Sequence, residues 1–158
     1  MIILGVDPGL RASGIVIIDN LGRVKFRDTI YSPPGSLSER LNYIYLEISS
    51  VLRTYHPDIG VMESTIYHRN VKTALTLGAV RGIFILAMTQ YGVPVKEISP
   101  TQVKLSLTGQ GRAKKKQVAY MVKNLLKINS DLTEHEYDAL GVCLAYLKEL
   151  RNAIRAGR

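Results

Sequence analysis

A single layered α/β domain built on a five-stranded mixed sheet flanked by helices is the fold class this sequence predicts, and three observations predict it. The chain opens on an apolar run, Ile2 to Val6, closed by Asp7-Pro8-Gly9 and followed by a second unbroken apolar run, Ile15 to Ile18, which reads as strand, turn, strand. Beyond these, strand-length and helix-spaced apolar segments alternate, in the order three strands, helix, strand, helix, strand, helices. A length of 158 residues suits one domain with a substantial core. The domain is expected over residues 1–150, with a basic tail at 151–158 expected to fray.

Taken in order, Asp19-Asn20-Leu21-Gly22 is a turn signal, and Arg23 to Tyr31 alternates polar and apolar residues as a third strand with one wet face. The first three strands are expected to form an antiparallel meander. Ser32-Pro33-Pro34-Gly35 breaks it. Ser36 and Glu39 then have capping-box spacing for a helix whose stripe includes Leu37, Leu41, Ile44, Ile48 and Val51. His56-Pro57-Asp58 ends that helix, and Ile59 to Glu63 is a short strand finishing on a carboxylate. From Asn70 to Tyr91 the pattern is helical but apolar on every side, which calls for two buried faces. One face would meet the sheet; the other would meet either a second subunit or other parts of the same chain, with Gly78 and Gly82 permitting close approach. Gly92 to Ile98 gives a fifth strand, and Ser99-Pro100 starts a short helix carrying Lys104. A glycine-hinged basic loop, Thr108 to Lys116, leads into a helix with Val118, Val122 and Leu125. Thr133 and Glu136 have capping-box spacing for the last helix.

Charge narrows the partners. The chain has 21 Lys and Arg against 13 Asp and Glu, a net charge of +8, which favours a polyanion, nucleic acid first and an anionic membrane second. No run reads as long and apolar enough to span a bilayer and no signal peptide is recognisable, so a soluble, cytoplasmic protein is expected. The single cysteine, Cys143, lies in an apolar run and reads as a buried hydrophobe.

The chemistry is concentrated in four residues. Parallel pairing of the first and fourth strands puts Asp7 and Glu63 at one end of the sheet, where carboxylates finishing apolar strands need a compensating cation. His135 and Asp138 are three apart, hence on one helix face, and join them if the last helix crosses that end. Such an oxygen-rich set suits Mg²⁺ or Mn²⁺, and two such ions can support phosphodiester hydrolysis. Lys104 and Lys115 are expected to hold phosphate, with Arg112, Lys114 and Lys116 in the same basic loop. Arg69, Asn70 and Lys72 extend a DNA-contacting surface from Glu63, and Tyr67 is placed to stack on an unpaired base. No Cys-x-x-Cys pair, His-Glu-x-x-His helix or Gly-Lys-Ser loop supports zinc or P-loop chemistry.

Several motifs together resemble the RuvC family of bacterial Holliday-junction resolvases: Gly5-x-Asp7-Pro8-Gly9; Glu63 followed by Asn70, Ala74-Leu75, Leu77-Gly78 and Arg81-Gly82; Pro100-x-Gln102-Val103-Lys104; Gly109-x-Gly111-x-Ala113-x-Lys115-x-Gln117-Val118; and His135-x-x-Asp138-Ala139-Leu140. The resemblance spans nearly the whole chain. It implies an RNase H-like fold, a homodimer and Mg²⁺-dependent symmetric nicking of a four-way DNA junction, giving a 5′-phosphate and a 3′-hydroxyl. It also implies a branch-migration helicase partner and no membrane. The acidic cluster falls on Asp7, Glu63 and Asp138, with His135 where members carry His or Asp, and the active-site lysines on Lys104 and Lys115. One departure stands out. Three residues after Glu63, where some members place a base-stacking Phe, this chain has Ile66, followed by Tyr67, which leaves two candidates for the wedge.

Three other classes share parts of this pattern. An actin-like phosphate-binding protein shares Asp-x-Gly at a strand turn but needs a second similar domain. A nuclease of ribosomal RNA shares the first motif and lacks the later ones. A non-catalytic junction binder would keep the basic surface and need none of the four ligands.

Overall fold

The computed structural model describes residues 1–64, 70–127 and 131–157. Its sheet contains β1 (Ile2–Asp7), β2 (Ala12–Asp19), β3 (Val24–Tyr31), β4 (Ile59–Glu63) and β5 (Val95–Ile98), in the order β3-β2-β1-β4-β5. β2 pairs antiparallel with β1 and β3, whereas β4 pairs parallel with β1 and β5, which is the mixed sheet expected. Parallel neighbours need long crossovers. These are α1 (Leu37–Tyr55), between β3 and β4, and α2 (Val71–Gln90), between β4 and β5. The chain ends with α3 (Pro100–Thr108), α4 (Lys115–Leu126) and α5 (Glu134–Arg155).

Both faces of the sheet are covered, which is why its inner strands read as unbroken apolar runs rather than alternating ones. On one face Leu4, Val6, Ile17 and Met62 pack with Ile44 and Ile48 of α1 and Phe84 and Met88 of α2. On the other, Ile3, Val16 and Val61 pack with Val103 of α3, Val122 of α4 and Leu140 and Cys143 of α5. Cys143 is fully buried, and burial pushes its thiol far above the usual range, consistent with a packing role.

Local signals set the helix starts. Ser36 with Glu39, Ser99 with Gln102, and Thr133 with Glu136 each form reciprocal capping boxes. Each cap contributes about 1 kcal/mol. α1 stops at His56, which is left-handed at φ 44°, and the Asp58 carboxylate then accepts from the Ile2 N–H at 2.6 Å, tying the crossover back to β1.

Two expectations are corrected. α5 continues to Arg155, so most of the segment expected to fray is helical. α2 does have the length and composition of a membrane-spanning helix, contrary to the sequence expectation. Of the two coverings the sequence left open for its second apolar face, the described chain does not supply one: Val80, Phe84, Ala87 and Met88 are buried, while Val71 and Leu75 are each 71% exposed.

Candidate active site

Strand alternation puts Asp7 and Glu63 on the α5 face of the sheet, because Ile3 and Val61 belong to that core and lie an even number of residues before them. Both end their strands, and the parallel register Val6↔Met62 makes those ends adjacent. The Asp7-Pro8-Gly9 turn is held from β2. The buried Ser13 hydroxyl donates to the Gly9 carbonyl at 2.7 Å and lies 3.0 Å from the Gly9 amide nitrogen.

Two glycines let α5 reach these strand ends. A Cβ on Gly5 would run into the Ala139 carbonyl and the Cys143 sulfur, and one on Gly14, the β2 partner of Asp7, would run into the His135 carbonyl. The start of α5 is pinned to β3 by the Arg27–Glu136 ion pair at 2.8 Å and by a hydrogen bond between Thr29 and Thr133 at 2.6 Å. His135 therefore lies over the end of β1, with Nδ1 2.7 Å from Asp7 Oδ2. When Asp7 is ionised its carboxylate can only accept, and Nδ1–H is then the donor in this pair.

Beside the pair is a cleft of ≈ 230 Å³ whose lining includes Glu63, Lys104, Lys115 and Asp138. Lys115 Nζ is 2.8 Å from Asp138 Oδ2 and also pairs with Glu134. Despite desolvation, which acts the other way, these hydrogen bonds and charges raise the Lys115 pKa and keep it cationic. Glu63 is pushed up to about 7, first by burial and then by the charges of Asp138 and Asp7, with Lys104 and Lys115 opposing. Asp7 is also raised; burial is the largest cause, and Asp138 adds to it against the lowering effect of His135.

The four predicted ligands thus gather at one end of the sheet. Among the described residues, however, no three His, Cys, Asp or Glu side chains form a closed coordination cluster: Asp7 is held by His135, and Asp138 by Lys115. The residues still fit a hard divalent cation. The partly buried Asp7 and Glu63 carboxyls, both raised by burial and by the neighbouring charge of Asp138, concentrate unbalanced negative potential, which such an ion relieves, and oxygen donors are what Mg²⁺ and Mn²⁺ prefer.

The predicted DNA-contacting residues divide. Arg112, Lys114 and Lys116 are exposed on the loop and first turn that carry Lys115 into the cleft. Lys72 is exposed in the first turn of α2, where the Asn70 side chain caps the helix by accepting from the Thr73 N–H at 3.0 Å. Tyr67 and Arg69, together with Ile66, lie outside the described residues. Sequence reasoning missed Glu134 and Arg81. Glu134 adjoins His135 in an acidic first turn, a signal that reads equally well as a helix-dipole effect. Arg81 lies in the Leu77-Gly78-x-x-Arg81-Gly82 stretch, whose sequence carries no sign of its contact with the Glu63 backbone.

Residues 3–146 match the family model for crossover junction endodeoxyribonuclease RuvC. The chain belongs to the RuvC family. A RuvC relative from Dictyoglomus turgidum is 36% identical over 154 residues, covering 93% of this chain and 96% of the relative. The solved structure of Thermus thermophilus RuvC superposes with a TM-score of 0.88 at 28% identity, covering 97% of both chains. A second structure, of the T. thermophilus protein in complex with a Holliday junction substrate, gives a TM-score of 0.87 at 27% identity over 96% of each chain. The mixed sheet and its flanking helices are accordingly the RNase H-like fold of RuvC.

Proposed function

We propose that this RuvC-family endonuclease resolves four-way DNA junctions by hydrolysing phosphodiester bonds in the cleft between Glu63 and Asp138. The observation that carries the reading is the approach of two lysines and four acid or imidazole side chains to one end of the sheet, beside a basic loop. Asp7, Glu63, Asp138 and His135 are the ligands for divalent metal, two Mg²⁺ per subunit, with Mn²⁺ able to substitute. Bound there, the metal supplies an activated water and neutralises charge at the scissile phosphate.

The chain's own residues do the rest. Lys104 and Lys115 line the cleft and place positive charge where the phosphate gains negative charge in the transition state. Lys115 is held ready by Asp138 and Glu134 and turns towards substrate at the cost of those exposed contacts. His135 Nδ1–H steadies the Asp7 carboxylate, which fixes the direction in which the acid presents its free lone pairs. Arg112, Lys114, Lys116, Lys72, Arg69 and Asn70 position the DNA backbone without reading sequence, and Tyr67 or Ile66 stacks on an unpaired base.

The nuclease unit is the layered domain expected over residues 1–150, with its last helix, α5, running on to Arg155. The uncovered apolar face of α2 supports a two-fold homodimer, which presents two clefts to a two-fold junction. A branch-migration helicase is the partner this function implies, and the cytoplasm is where it works.

The test is a labelled four-way junction incubated with the protein, with and without Mg²⁺ and separately with ATP. Metal-dependent paired nicks and no ATP hydrolysis are expected. Tight binding with no nick at any metal concentration would instead indicate a junction-binding protein.

A further inference from the structure

The structure assigns Arg81, in α2, as a positioning residue for Glu63, an inference that rests on reading Glu63 as a metal ligand. The Arg81 guanidinium donates through Nη1 to the Glu63 backbone carbonyl at 3.3 Å and forms an ion pair through Nη2 with Glu97 of β5. Its side chain is only 17% exposed, and it is not among the residues lining the cleft. It therefore acts on the site through the backbone that carries Glu63.

That backbone is short of support elsewhere. The β1–β4 ladder ends at Val6↔Met62, one residue before Glu63, so β1 does not hold this position. On the other flank Glu63 pairs with Ile98, and the Ser64 N–H donates to the Ile98 carbonyl at 2.9 Å. Arg81 adds the third constraint, from the α2 side of the sheet. Because Met62 and Glu97 are partners in register, its fork spans β4 and β5 where the Glu63 side chain departs for the opposite face. A planar guanidinium holds two acceptors at fixed geometry, which a lysine ammonium on a flexible stem does not.

Arg81→Lys and Glu97→Gln test this in the full chain, with Glu63→Gln alongside. Mn²⁺ binding without DNA is read by electron paramagnetic resonance, and the Mg²⁺ concentration giving half-maximal cleavage is read separately. Partners that orient metal ligands typically change affinity by about 10- to 100-fold when altered. Arg81→Lys is expected to weaken Mn²⁺ binding within that range and to raise the Mg²⁺ requirement in parallel, while metal-free junction affinity and melting midpoint stay at wild-type values. Glu97→Gln is expected to shift both readouts the same way by less. Wild-type Mn²⁺ affinity in Arg81→Lys, with Glu63→Gln defective, would overturn the positioning role alone. A joint fall in melting midpoint and metal-free junction binding would overturn it by making Arg81 a general structural residue. Wild-type Mn²⁺ affinity in Glu63→Gln would overturn the ligand reading beneath it.

Discussion

Glu63 and Asp7 are partly withdrawn from water, and each feels the charge of Asp138, so the folded chain favours their protonated forms more than water does. The sign of the resulting pH dependence follows. A carboxyl raised to about 7 by folding contributes stability that is fully present below its ordinary value and is lost as pH rises through about 7. In chelator, Glu63→Gln should therefore be more stable than wild type near pH 8, on the order of 1–2 kcal/mol once screening by the open cleft is discounted, and the gap should close near pH 4. Urea denaturation at several pH values measures this; parallel profiles for the two proteins would contradict it. The meeting of Asp7, Glu63, His135 and Asp138 at one end of the sheet was legible in the sequence, because two acids close apolar strands that pair in parallel and the His-Asp pair shares one helix face. Glu134 and Arg81 were not legible, since their roles depend on which helix faces which strand end, and spacing does not encode that.

The elements explain why these side chains meet. α5 crosses the sheet at Gly5 and Gly14, where any side chain would collide with its backbone, and its first turn is tied to β3 through Arg27 and Thr29. Gly14→Ala should lift that turn, destabilising the fold by about 1–3 kcal/mol and reducing cleavage more than junction binding. Thermal melting and a cleavage assay at saturating protein check this. Unchanged cleavage would mean that α5 tolerates displacement. The capping boxes made the starts of α1, α3 and α5 readable from sequence. Two boundaries escaped. β2 begins at Ala12 because Asp7 pairs with Gly14 and Ala12 with Tyr31, a register the polar Arg11-Ala12-Ser13 stretch did not suggest. α5 runs to Arg155 through a basic segment that composition alone marks as a tail.

At the scale of the molecule, a sheet packed on both faces supports a cleft on one side and an uncovered helix face on the other. The helix could be recognised from its all-round apolar pattern, but the sequence left open whether the same chain covers its second face. Burial removes that covering among the described residues, with Leu75 at its most exposed part. Leu75→Glu should convert a micromolar dimer to monomer in sedimentation and replace paired nicks by single ones; a monomeric wild type would contradict the dimer.

The central claim is that the carboxylates at the ends of β1 and β4 carry the hydrolysis while the basic surface carries the binding. The most direct test is single-turnover cleavage of prebound, labelled four-way junction in Mg²⁺ by wild type and by Asp7→Asn. The account predicts wild-type junction affinity for the variant, with cleavage slower by at least about 100-fold, since a ligand should matter no less than the groups that orient it. Equal cleavage by the two proteins would contradict it.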